Sequence, residues 1–257
     1  MWNQKEVRPM KIKGWNTFEL AWLIVFTGLR VPVSATMIRN CPFEHRKYLD
    51  PLVYNDMITK VVILGAPSTG KSTITEELAK RFNTVFMPEY GREYWDKNQV
   101  SRRLEPQQLV EIAEGHIERE QLLLADANRY LFVDTNAITT YMFSMDYCGF
   151  ALPQLEQMAV NAQTRYDICF LCGDDIPYDD TWDRSGDQKR HIFQKRIISD
   201  LGERKLPYIE LRGGLEERIS VVERVLKGFR KYSNTADLMA GSPGTHKKSL
   251  PNRAGYI

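Results

Sequence analysis

Residues 65–72 read Gly-Ala-Pro-Ser-Thr-Gly-Lys-Ser, with Thr73 behind them, and they restrict the fold of this chain more than any other stretch. The run satisfies the G-x-x-x-x-G-K-S/T pattern of a phosphate-binding loop. Its surroundings make the match informative: the apolar run KVVIL (60–64) precedes it, and KSTITEELAKRF (71–82) reads as a helix that opens inside it. Such a loop works between a buried strand and a helix start. Glycines let successive N–H groups turn toward phosphate oxygens, and the positive end of the helix dipole adds to the attraction. In that setting Gly65, Ala66, Pro67, Ser68, Thr69, Gly70, Lys71, Ser72 and Thr73 are expected to bind ATP. Lys71 would reach the β- and γ-phosphates, and the Ser72 hydroxyl would ligate Mg²⁺. The competing reading, an accidental glycine turn, has the flanking strand and helix against it.

The same alternation continues along the chain. Short apolar runs at 61–64, 84–87, 130–133, 168–172 and 208–211 are brief enough for strands buried on both faces. Helix-like segments at 71–82, 106–128, 153–165, 187–203 and 215–229 separate or follow them. The pattern predicts an α/β fold: a P-loop NTPase with a doubly wound, parallel, five-stranded sheet of the nucleoside/nucleotide kinase type. At 257 residues and 43% hydrophobic, the chain holds one such domain with length to spare. No strand–helix unit recurs in 1–56, and 233–257 is rich in Ser, Gly, Pro and Asn, so a boundary near Met57 and a flexible basic tail from 233 are expected.

A phosphate loop needs a carboxylate on the metal side, and LFVDT (131–135) ends an apolar strand on one. Asp134 is therefore the expected Mg²⁺-side acid, at the strand edge where ligands bind in open α/β sheets. Its bland alternative is a solvated cap for the next helix. The strand at 84–87 runs into Pro88-Glu89-Tyr90-Gly91-Arg92-Glu93. Glu89, expected beside the P-loop's own strand, could take the proton of an attacking hydroxyl, while Tyr90 and Arg92 would contact the substrate. A surface Glu–Arg pair is the competing reading. After the run at 168–172 come acidic and turn-forming residues with Arg184, Lys189 and Arg190 among them. A closing segment that brings Arg184, or secondarily Arg190, onto the transferring phosphoryl would meet the negative charge that spreads there. An exposed charged loop is the alternative.

Other features exclude more than they suggest. Trp95, Tyr141 and Tyr147 could stack on a base, although such aromatics more often fill a core. His45, His116, His191 and His246 are scattered without metal-site spacing and receive no catalytic role. Cys169 and Cys172 form a C-x-x-C, but on a buried strand side chains three apart face opposite ways and cannot share a metal. Four cysteines are too few for a disulfide scaffold, which fits a cytoplasmic chain. The apolar run LAWLIVFT at 20–27 falls well short of the ~20 residues that span a bilayer, and no cleavage site follows it, so no membrane span and no secretion are expected. The net charge of +2 gives no reason to expect nucleic acid, but it conceals +4 over 1–60, −7 over 61–226 and +5 over 227–257.

Read together, GAPSTGKS, PEYGRE, LFVDTNAITT, DRSGDQKRHIFQ and LPYIEL resemble the ribosylnicotinamide kinase domain of bifunctional NadR-type proteins over about residues 58–230. The resemblance implies transfer of the γ-phosphoryl of ATP to the 5′-hydroxyl of nicotinamide riboside, with Thr135, Asn136 and Thr139 near the acceptor. It extends back to VPVSATMIR (31–39), similar to the closing piece of the family's nucleotidyltransferase domain, where a Ser/Thr helix start and an arginine hold nucleotide phosphates. The H-x-G-H pair of that domain does not occur in the sequence, so residues 1–56 are expected to be a transferase remnant without adenylyl transfer. Three rivals stay open: a kinase for another (deoxy)nucleoside, a nucleotide-dependent ATPase switch, and an inactive fragment kept as a binding protein. A GTPase would carry N-K-x-D, which this sequence lacks.

Overall fold

The structure, a computed structural model, describes residues 33–98, 104–177 and 187–232, without the side chains of 187 and 188. The expected tail at 233–257, the apolar run at 20–27 and Arg184 lie outside the described residues. The chain divides into two compact units, one ending at Tyr48 and the other beginning at Leu49.

In the first unit, α1 (Ala35–Asn40) starts at Ser34, whose hydroxyl accepts the Met37 N–H at 3.2 Å. That is an ordinary Ser N-cap. A 3₁₀ turn (Arg46–Tyr48) follows, and the Arg46 guanidinium lies 4.1 Å from the Phe43 ring centroid while donating to Phe43 O.

The second unit opens with α2 (Pro51–Met57), capped by the Asp50 carboxylate and started by proline at its first position. The buried Tyr54 hydroxyl donates to Ala127 O at 2.5 Å. Thus α2 packs with the sheet-bearing unit, which begins ahead of Met57.

The sheet contains β1 (Thr59–Leu64), β2 (Phe86–Met87), β3 (Tyr130–Asp134), β4 (Ile168–Cys172) and β5 (Ile209–Leu211), in the order β2-β3-β1-β4-β5. All pairings are parallel, with Val62 opposite Val133 on one side and Cys169 on the other. Between the strands run α3 (Lys71–Arg81), α4 (Tyr90–Asn98), α5 (Pro106–Leu123), α6 (Ala137–Cys148), α7 (Pro153–Arg165), α8 (Asp187–Glu203) and, after β5, α9 (Leu215–Gly228). This is the doubly wound P-loop NTPase fold of the nucleoside/nucleotide kinase type. β1 is the switch point, because β2 and β3, which follow it in the chain, lie on one side of it and β4 and β5 on the other; crevices of this kind bind ligands at the carboxyl ends of the strands.

Strand periodicity divides the core. Val61, Ile63, Phe132, Phe170 and Cys172 face Ile74 and Leu78 of α3 and Ile219, Val222 and Leu226 of α9. Their neighbours Val62, Leu64, Leu131, Val133, Cys169 and Leu171 are also buried, so both faces of the sheet are covered. Cys172 belongs to the first cluster and Cys169 does not, and both are free thiols, as the alternation of a buried strand requires. Burial pushes Cys169 up to about 12 and Cys172 to about 11, so neither behaves as a reactive thiolate.

Two helices escape a reading by periodicity. α6 packs against both α5 and α7, buries Thr139 and Ser144 and exposes Met145 and Tyr147, so no polar face marks its period. α4 begins inside the polar PEYGRE run, which has no apolar periodicity to announce a helix. β2 is shorter than the apolar run at 84–87 because the Thr84 hydroxyl, not its backbone, bridges to Tyr130 O (2.6 Å) and Asn128 N (2.8 Å).

Candidate active site

The phosphate loop leaves β1 at Gly65 and enters α3 at Lys71. Gly65 sits at φ +146°, and a Cβ there would lie 2.8 Å from Thr69 Oγ1 and 2.9 Å from Cys172 O, so only glycine fits. Gly70 caps α3 at φ +81°, in the left-handed region. Thr69 Oγ1 donates to Ala66 O at 2.8 Å, which folds the loop on itself. Lys71, 7% exposed, rests its ammonium 2.8 Å from the same carbonyl.

Beside the loop, Asp134 ends β3 fully buried. Its Oδ2 accepts the Ser72 hydroxyl at 2.5 Å, while Oδ1 has no hydrogen-bond partner among the described residues. Burial raises this carboxyl from the ordinary 3.8 to about 6. Lys71, Ser72 and Arg92 pull it down, and Glu89 pushes it up. A buried acid with one oxygen on the loop serine and the other uncommitted is a donor set that suits a hard divalent cation, so Ser72 and Asp134 fit the Mg²⁺ expected between them. Thr135 then turns to φ +66°, a strained value for a β-branched residue, with its N–H on Ile63 O at 3.1 Å. Asn136 Oδ1 caps α6 by accepting the N–H groups of Ile138 (3.0 Å) and Thr139 (3.4 Å), while its Nδ2 is buried and unpartnered among the described residues. Thr135, Asn136 and Thr139 are all buried at this strand end.

Glu89 follows β2, and β2 pairs with β3. The expectation that Glu89 stands beside the P-loop's own strand is therefore corrected: β3 lies between β2 and β1. Glu89 is half-buried and close enough to Asp134 and His116 for its charge to favour the protonated form of each. Arg92 is exposed and within electrostatic reach of Asp134. An ion pair in this segment joins Glu93 to Arg119 at 2.5 Å and to Lys97 at 2.7 Å, which holds the Glu93 carboxyl down at about 2. Arg119 also lies 4.0 Å from the Tyr90 ring centroid, so the tyrosine is held from behind by a cation–π contact.

On the other side, Arg190 of α8 is 5% exposed and its Nη1 donates to Ser68 O (3.3 Å) and Ile176 O (3.0 Å). Its charge therefore backs the phosphate loop. Sequence reasoning passed over three further residues. Gln194 accepts the Ala66 N–H at 2.8 Å and donates to Cys172 O at 3.0 Å; its position one helical turn after Arg190 is the signal that could have found it. Arg218 is 2% exposed and bonded to several loops, and a basic residue next to Ile219 in the apolar stripe of α9 is the corresponding signal. His116, assigned no catalytic role, is 4% exposed on α5 and its Nε2 donates to the Asp134 carbonyl at 3.2 Å. Burial lowers its pKa and keeps it neutral. Of the aromatics, Tyr141 lies under Arg204 (5.0 Å) and Tyr147 stacks on Phe143 (5.5 Å) with 60% of its surface exposed. Among the described residues no group of three or more His, Cys, Asp or Glu could hold a metal, so a cation bound here would rest on Ser72 and one carboxylate.

Comparison with known proteins matches this picture. A family described as an AAA domain (AAA_28) matches residues 60–218. The trifunctional NAD biosynthesis/regulator protein NadR of Salmonella typhimurium is 29% identical over 184 residues, covering 70% of this chain and 44% of that protein. NadR of Escherichia coli is 29% identical over 183 residues with the same coverage, so the chain spans under half the length of these relatives. A crystal structure of NadR in complex with NR superposes with a TM-score of 0.58 at 24% identity, covering 80% of this chain and 62% of that one. NadR in complex with NAD and AMP-PNP gives 0.59 at 23% identity, covering 80% and 60%. The likeness to NadR drawn from the PEYGRE and LFVDT segments is thereby borne out, and the two structures share this fold.

Proposed function

The chain belongs to the AAA_28 family of AAA domains, and from that premise we propose that it is an ATP-dependent nucleoside kinase whose acceptor is nicotinamide riboside. The products are nicotinamide mononucleotide and ADP. The observation that carries the reading is the buried Asp134, with one oxygen on Ser72 of the phosphate loop and the other uncommitted, at a strand end shared with Thr135 and Asn136. NadR relatives, one of them with NR bound, support nicotinamide riboside as the acceptor.

In the proposed reaction the acceptor 5′-oxygen attacks the γ-phosphorus, the bond to the β,γ-bridging oxygen breaks, and the hydroxyl proton passes to the Glu89 carboxylate. Residues 65–73 cradle the phosphates. Lys71, already directed along the loop, meets the charge that develops on the γ-phosphoryl. Ser72 and Asp134 would hold Mg²⁺, which when bound neutralises phosphate charge. Tyr90, Arg92, Thr135, Asn136 and Thr139 form the acceptor side. Arg190 stabilises the loop from behind, and Arg184 is assigned the closing cation.

On this reading residues 57–232 and the preceding α2 make up the kinase domain, the part of 1–56 ahead of Leu49 derives from a nucleotidyltransferase domain without adenylyl transfer, and 233–257 are a basic tail. No helix among the described residues is long and apolar enough to cross a membrane. Residence in the cytoplasm is proposed from the free cysteines.

A panel of nucleosides assayed with ATP and Mg²⁺, following phosphorylated product by mass, tests the acceptor. Nicotinamide riboside should give the highest kcat/KM. Faster turnover of a deoxynucleoside would assign the site to another nucleoside kinase.

A further inference from the structure

Arg218 touches neither the expected acceptor side nor the expected metal site, yet it is among the most committed side chains of the molecule. It is 2% exposed on α9. Its Nε donates to Gly213 O at 2.9 Å, its Nη1 to Thr69 O at 2.7 Å, and its Nη2 to Gly173 O at 3.2 Å and to Asp175 Oδ1 at 2.7 Å. Asp175 returns the contact by accepting the Gly213 N–H at 2.6 Å through its other oxygen. One guanidinium thus joins the segments that follow β1, β4 and β5, and its charge is balanced by a carboxylate on the second of these.

The bond to Thr69 O has a specific consequence. A trans peptide is planar, so the Thr69 carbonyl and the Gly70 N–H point in opposite directions. Holding the carbonyl toward α9 therefore turns the Gly70 N–H away from α9. This peptide is also free to flip on the Gly70 side, because Gly70 at φ +81° has no Cβ to oppose the alternative. Lysine at position 218 could keep the charge but not the planar fork that reaches several acceptors at once.

We propose that Arg218 is a positioning residue that locks the Thr69–Gly70 peptide in the phosphate-binding orientation and, through Asp175 and Gly213, couples the phosphate loop to the ends of β4 and β5. This rests on reading 65–72 as a phosphate cradle. The test is calorimetric titration of the full chain with inorganic tripolyphosphate and with ATP, well below the melting temperature of each variant, with Tm measured in parallel. Arg218→Met should weaken both ligands by about tenfold or more, Arg218→Lys should fall between it and the parent, and Asp175→Ala should lose about threefold, as expected for removing hydrogen bonds that involve charged groups. If Arg218→Met does not fold, Arg218→Lys and Asp175→Ala decide by the same criterion. A lower Tm with unchanged affinities would make Arg218 a structural residue only and overturn the proposal, as would parental values throughout. A parent chain that binds neither tripolyphosphate nor ATP would overturn the cradle reading itself.

Discussion

On the β4 and β5 side of the phosphate loop, Arg218, Gln194 and Asp175 bond to backbone groups of different loops, whereas on the β3 side Asp134 Oδ1, His116 Nδ1 and Asn136 Nδ2 are buried with no hydrogen-bond partner among the described residues. The contrast is energetic. A satisfied buried network rigidifies its surroundings, while each buried polar atom left unmade costs about 1–3 kcal/mol. The chain therefore fixes the cradle from one side and keeps the other side polar and uncommitted, as a cradle for a phosphate donor and a pocket for metal and acceptor would require.

The largest effect expected from breaking the contrast is at Lys71. Lys71→Ala removes the cation that meets the transferring phosphoryl and should lower kcat by about a thousandfold, read as ADP release under saturating ATP. On the uncommitted side, Glu89→Gln should cut the chemical step by about a hundredfold while leaving ATP affinity nearly unchanged. An equal loss of ATP binding would move Glu89 to the metal site.

Asp134 sharpens the comparison through pH. Burial raises its carboxyl to about 6, so between the ordinary 3.8 and that value the folded chain holds a proton that the unfolded chain has lost. This group makes the fold less stable as pH rises through that window, and the deficit persists above it. Asp134→Asn should abolish turnover yet raise Tm by about 2–4 °C at pH 7.5, with no gain at pH 3.5. A lower Tm at pH 7.5 would show that the carboxylate is net stabilising. Because a proton and Mg²⁺ compete for this carboxylate, the Mg²⁺ concentration needed for half-maximal turnover should fall as pH rises through about 6, while turnover at saturating Mg²⁺ changes little there.

The smallest expected effect lies away from both sides. Tyr54→Phe deletes the bond to Ala127 O and should cost about 1 kcal/mol of stability by denaturant titration, with nucleotide affinity unchanged. A null effect would mean that α2 packs without that bond.

Much of this was legible in the residues. The phosphate loop, the parallel strands and the acid at the end of β3 follow from local patterns: a glycine-rich turn, short apolar runs and a carboxylate at a strand edge. α6 was not legible, because its exposed residues include Met145 and Tyr147 while Thr139 and Ser144 are buried, so polarity does not mark its faces. Nor was the position of Glu89, since strand order is set by which crossovers pack, and β3 inserts between β2 and β1. Arg218 and Gln194 were hidden for another reason. Their partners are backbone carbonyls and amides far away in sequence, which no side-chain motif records. His116 was set aside because a lone histidine on a helix carries no metal spacing, although its ring holds the carbonyl of Asp134.

The most direct test of the central claim is ATP turnover by the full chain with and without nicotinamide riboside. A kinase of the proposed kind releases ADP in step with the riboside supplied and forms one nicotinamide mononucleotide per ADP. ADP release that is indifferent to the riboside, with no mononucleotide formed, would contradict it and mark the chain as a nucleotide-dependent switch.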